Sequence, residues 1–158
     1  MKKLPIILAL ACLPSIAQTQ SDTLPDPEAF FSALIVNDID SSISWYSRIL
    51  GFKVSSRNES QEMGYKQSNL KRGNVLLELI ELRSAISPEE VVPNYSKKTL
   101  MRGIFKTGFL VSDFEKWVSH LKESKVDFHG NVVTDDLTGK KMAIIMDPDG
   151  NRLQFFEK

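Results

Sequence analysis

With 20 basic and 20 acidic side chains among 158 residues, the chain carries no net charge and no basic stripe able to neutralise a run of phosphates, so nucleic acid is not an expected partner. Its single cysteine, Cys12, lies in the first segment, which leaves the remainder without disulfides, thiolate metal ligands or a cysteine nucleophile. Stability must come from a packed core, and about 130 residues suffice for one domain that has one.

Residues 1–17 have the form of a secretory leader: the charged pair Lys2-Lys3, an apolar stretch from Leu4 to Leu13, and Ser15-Ile16-Ala17 after Pro14. The apolar stretch is too short to span a bilayer. Cleavage after Ala17 and export to the periplasm or the exterior are expected, with Gln18 as the new start. Acylation of Cys12, as in a lipoprotein, is the alternative, although Ala9 and Leu13 fit that signal poorly. Loss of Lys2 and Lys3 leaves 18 cations against 20 acids. A lead over residues 18–28 contains Pro25 and Pro27.

A first unit then runs over residues 29–82. Phe30 to Val36 reads as an apolar strand, and Asp38 or Asp40 can cap a helix whose Ile39, Ile43, Tyr46 and Leu50 share one face. Gly51 suits the left-handed cap that ends it. Phe52 to Ser56, Gly64 to Ser68 and Asn74 to Leu82 read as strands. Residues 83–100 form a linker with Pro88 and Pro93 and room for one helical turn from Ser87.

The second unit, residues 101–158, predicts a strand at Ile104 to Val111 and a helix buried through Phe114, Val118 and Leu121. Strands follow at Val126 to Val133, Lys141 to Met146 and Asn151 to Glu157. The last two are joined by Asp147-Pro148-Asp149-Gly150, a tight-turn sequence. Ser32 to Asp40 recurs 75 residues later as Thr107 to Glu115, and the closing strands Leu77 to Glu81 and Leu153 to Glu157 lie 76 apart. A long period seen twice means two copies of one βαβββ unit.

Two such units resemble the vicinal oxygen chelate superfamily, which includes glyoxalase I, bleomycin-resistance proteins and extradiol dioxygenases. The resemblance rests on apolar-Val-x-Asp at the start of each, on Ser42-Ile43-x-Trp45-Tyr46 and Leu50-Gly51-Phe52 in the first, and on Asp147-Pro-Asp-Gly-Asn-x-Leu-x-Phe155 in the second. It implies an α+β fold in which eight strands curl into a half-open barrel around a cavity, helices outside. It also implies a divalent metal held by two His and two Glu on the first and last strands. Those positions fall here on Phe31, Lys106, Glu78 and Gln154. A phenyl ring donates nothing, a protonated ammonium repels a cation and an amide is a weak donor, so the usual metal site and any other cofactor are not expected.

In the implied geometry Glu78 and Lys106 face one cavity, where the ammonium stands in the place of the cation. Strand alternation adds Ala33, Ile35, Leu76, Ile80, Leu110 and Phe156 to that lining, with Phe31 and Gln154. The expectation is an exported, metal-free protein that binds a small, partly apolar or aromatic molecule. The rival is a lyase or isomerase with Glu78 as base and Lys106 stabilising an enolate, or a metalloenzyme on an altered ligand set. His120 and His129 are expected in structural or surface places. The resemblance leaves open whether the units pair within a chain or across a homodimer.

Overall fold

The computed structural model describes residue 24 and residues 27–96 and 102–158. The expected leader, most of the lead and the end of the linker lie outside the described residues. The first unit contains β1 (Ser32–Ile35), α1 (Ile39–Leu50), β2 (Lys53–Ser60), β3 (Tyr65–Arg72) and β4 (Val75–Leu82). One turn of helix, α2 (Pro88–Val91), precedes the second unit of β5 (Thr107–Val111), α3 (Phe114–Glu123), β6 (Val133–Thr134), β7 (Lys141–Met146) and β8 (Arg152–Glu157). The strands bond as two four-stranded mixed sheets, β1-β4-β3-β2 and β5-β8-β7-β6, and in each the first strand runs parallel to the last.

The repeat is written into the register. Ala33 lies opposite Glu78, and Gly108, 75 residues on, lies opposite Gln154, 76 residues on. The odd residue sits in the last hairpin. β3 and β4 close on Arg72 opposite Val75 around two residues, whereas Asp147 N–H donates to the Asn151 carbonyl at 3.0 Å around three.

Local chemistry sets the helix limits. Asp38 Oδ1 accepts from Ser41 N–H at 2.7 Å, satisfying a free amide of the first turn, and Gly51 closes α1 at φ 65° with its N–H on the Ser47 carbonyl. α1 buries Ile39, Tyr46, Ile49 and Leu50 with Leu70, Leu77 and Leu79 of its sheet; α3 buries Phe114, Val118 and Leu121 with Ala143, Ile145, Leu153 and Phe155. Each such large side chain contributes about 1.5–3 kcal/mol. The two sets join in one core.

Several strand expectations change. The strand expected at Val126 to Val133 shrinks to β6, because Lys125 and Gly130 take positive φ (56° and 88°) and break the extended run. What remains follows β7 through a single bridge, Phe128 to Ile145, and the His129 N–H to Ile144 carbonyl bond at 2.8 Å. By contrast β2 and β3 run further than expected, to Ser60 and Arg72. Their polar extensions pair through the backbone, which hydrophobic alternation does not register.

Candidate functional site

Successive strand residues alternate between the two sides of each sheet. Leu34, Val36, Leu77 and Leu79 turn to α1, and Phe109, Val111, Leu153 and Phe155 to α3. The opposite sides carry the residues expected to line a site. On the first sheet these are Phe31, Ala33 and Ile35 beside Leu76, Glu78 and Ile80; on the second, Lys106, Gly108 and Leu110 beside Arg152, Gln154 and Phe156. Phe31 and Ile35 are each 55% exposed and Leu110 is 69% exposed, while Leu76, Ile80 and Phe156 are half-buried. The units meet through their helix-bearing sides, so within one chain neither lining face is covered by the other.

The first face is polar at its centre. Tyr65 Oη donates to Gln67 Oε1, Gln67 Nε2 donates to Glu78 Oε1, and Asn69 Nδ2 donates to Ser56 Oγ at 2.8 Å. Register places Gln67 opposite Ile80 and Asn69 opposite Glu78, so the chain of donors crosses from β3 to β4. The amide N–H of Gln67 orients the Glu78 carboxyl group through Oε1 and leaves Oε2 for another partner.

The second face is cationic. The Arg152 guanidinium carbon stands 4.7 Å from the Phe105 ring centre, and Lys106 Nζ stands 5.8 Å from the same ring. Gln154 is 1% exposed; its Nε2 rests on Met142 Sδ, and its Oε1 is buried with no hydrogen-bond partner among the described residues, as is Arg152 Nε.

The expected meeting of Lys106 with Glu78 does not occur within the chain. Glu78 takes Gln67 and Lys106 lies over Phe105, and no ion pair within 4 Å joins them among the described residues. The reason is the arrangement of the units, whose shared helix sides send the two faces apart. Nor does the donor set suit a divalent cation. Of the four implied positions only Glu78 carries a carboxylate, and no three His, Cys, Asp or Glu converge among the described residues. His120 is structural: Nε2 lies 2.8 Å from the Ile49 carbonyl at the end of α1. His129 is exposed.

Asp147 and Asp149 do more than shape a turn. Asp147 Oδ2 accepts from Tyr46 Oη at 2.8 Å, and Asp149 accepts from Asn37 N–H at 2.9 Å and Ser42 Oγ at 3.2 Å, so the β7–β8 turn grips α1 of the other unit. Burial raises the Asp147 pKa although Asn151 and Tyr46 donate to it; burial beside Asp147 also raises that of Tyr46. Sequence alone identified the turn, while its reach across the units depends on long-range packing. Arg72 adds a second lock, 4.5 Å from the Trp117 ring centre and bonded to the Leu50 carbonyl. Phe105 and Arg152 were likewise missed, since no motif singles them out.

Known structures share this framework. A glyoxalase family protein from Enterococcus faecalis matches with a TM-score of 0.69 and 27% identity over 82% of this chain and 97% of its own. The crystal structure of SMU.1112c matches at 0.68 and 32% identity, over 84% and 100%. The trypanothione-dependent glyoxalase I of Leishmania major shares the fold at 0.62 and 23% identity, over 83% and 87%. No curated protein matches the chain. The family model of the glyoxalase/bleomycin resistance protein/dioxygenase superfamily matches residues 30–155, the same span that the register shows to be a duplicated βαβββ unit, and the chain belongs to that superfamily.

Proposed function

We propose that this is an exported, metal-free binding protein that holds a small, partly apolar or aromatic molecule between the open face of the first sheet and the open face of the second. The observation that carries the reading is the composition of those faces. Phe31, Ala33, Ile35, Leu76, Ile80, Leu110 and Phe156 surround a few polar groups, Glu78, Lys106 and Gln154, the usual build of a small-molecule site. The two faces belong to one cavity when a second copy supplies the other half. Among the described residues each is open in the single chain and β1 and β5 are edge strands, and the first face carries the acid Glu78 while the second carries the cations Lys106 and Arg152.

Native mass spectrometry of the exported protein tests the reading. A dimer carrying a small organic mass and no metal is expected, and about one divalent ion per chain overturns the metal-free part. An enzymatic reading has one observation in its favour: Gln67 fixes the Glu78 carboxyl group through Oε1, and among the described residues Oε2 has no hydrogen bond, as a base that removes a proton beside a carbonyl requires. Under that reading Glu78→Gln abolishes turnover and leaves ligand affinity nearly unchanged.

A further inference from the structure

Two cations on the second face have no acid to balance them among the described residues. Among the described residues neither Lys106 nor Arg152 takes part in an ion pair within 4 Å or donates a hydrogen bond. Asp135 feels the charge of Lys106, yet its carboxylate is committed to Thr138, whose N–H and hydroxyl donate to it at 3.0 and 2.6 Å. Both cations instead flank one phenyl ring, that of Phe105, at 4.7 Å for Arg152 and 5.8 Å for Lys106.

Beneath them lies an unmet polar demand. Arg152 and Gln154 sit two residues apart on the same side of β8, and each has a buried atom with no partner: a donor, Arg152 Nε, and an acceptor, Gln154 Oε1. Turning the Gln154 amide over does not help, because one of its polar atoms still faces no partner. A buried polar group left unpaired costs about 1–3 kcal/mol. A ligand group that reached these two atoms would pair them.

We propose that Arg152, Lys106 and Gln154 form a carboxylate-recognition site, and that the bound molecule is a carboxylic acid with an apolar or aromatic body and a hydroxyl or N–H near its carboxylate. The inference rests on the binding reading above and names the ligand class for that cavity. A planar carboxylate matches the fork of a guanidinium with Lys106 as the second cation. The adjacent hydroxyl or N–H answers Gln154 Oε1, and the body lies along Phe105, Phe156 and Leu110. If Glu78 of a second copy approaches, it is one carboxylate against two cations, and one cation remains for the ligand.

Titration calorimetry with mandelate and its neutral counterpart mandelamide, on the full exported chain, tests this. Mandelate is expected to bind at least tenfold more tightly than mandelamide. Arg152→Met and Lys106→Met are each expected to weaken mandelate by tenfold or more while changing mandelamide less than threefold; Arg152→Lys, which keeps the charge without the fork, is expected to fall between. Thermal melting identifies any variant that fails to fold, and Arg152→Lys then serves in place of Arg152→Met. Equal losses for both probes, or tighter binding of mandelamide, overturn the carboxylate site and leave the binding reading standing. Failure of both probes to bind the unsubstituted protein overturns the carboxylate site as well; a co-purified ligand lacking a carboxylate does so while supporting the binding reading. If either Met variant leaves mandelate affinity unchanged but dissolves the dimer, as sedimentation would report, the cations serve the partner subunit and the proposal falls.

Discussion

A single phenol illustrates how closely the two units depend on each other. Tyr46 is fully buried in α1, and its hydroxyl ends on Asp147 of the other unit. Tyr46→Phe keeps the ring and removes only that donor, so a loss of about 1–3 kcal/mol is expected in urea unfolding. The pH dependence has a defined sign. The folded state raises the Asp147 pKa above its ordinary 3.8, so the folded protein holds that proton more tightly than the unfolded chain. Its contribution to stability is fully present below 3.8 and is lost as pH rises through the raised value. The acids Asp38, Asp40 and Asp135 are shifted the other way and contribute above 3.8. Subtracting the profile of Asp147→Asn from that of the unsubstituted protein isolates the first effect: the advantage of the native residue should shrink as pH rises from 3.8.

At the scale of elements, glycines test how backbone strain and crowding combine. Gly64 and Gly73 both take left-handed φ, 62° and 55°, where an L side chain costs about 1–2 kcal/mol. A Cβ at Gly73 meets nothing within 4 Å, but at Gly64 it would stand 2.8 Å from Arg83 Cβ. Gly64→Ala is therefore expected to lower the urea midpoint more than Gly73→Ala. The same scale shows what the sequence disclosed. The helices α1 and α3, the caps of α1 at Asp38 and Gly51 and the 75-residue repeat follow from apolar spacing and short-range chemistry, and the structure has them. The segment from Val126 to Val133 does not, because its apolar residues pack against β7 without extended pairing. The partners of Asp147, Asp149 and Arg152 were likewise illegible, since each is fixed by residues far off in the chain.

Over the whole molecule, charge and exposure argue for association. Leu110, on an edge strand, is 69% exposed, so replacing it by Glu removes little from the folded single chain and should change its stability by no more than about 0.5 kcal/mol. Facing Glu78 of a second copy, the same substitution should convert a dimer to a monomer in sedimentation. A Leu110→Glu protein that stays dimeric would place the interface elsewhere. For the leader, N-terminal sequencing of exported material is expected to begin at Gln18, and a lipid on Cys12 would contradict it.

The three-residue turn between β7 and β8 has a genetic corollary. Its counterpart in the first unit, Gly73-Asn74, is one residue shorter. Only the longer turn carries Asp149, which bonds Asn37 and Ser42. A difference of one codon in this turn thus separates the two halves of the repeat, and only the longer turn reaches the other unit. Grafting Gly-Asn in place of Pro148-Asp149-Gly150 would restore the symmetry of the repeat while removing those two bonds from the grip, and a single melting transition should then broaden or divide into two.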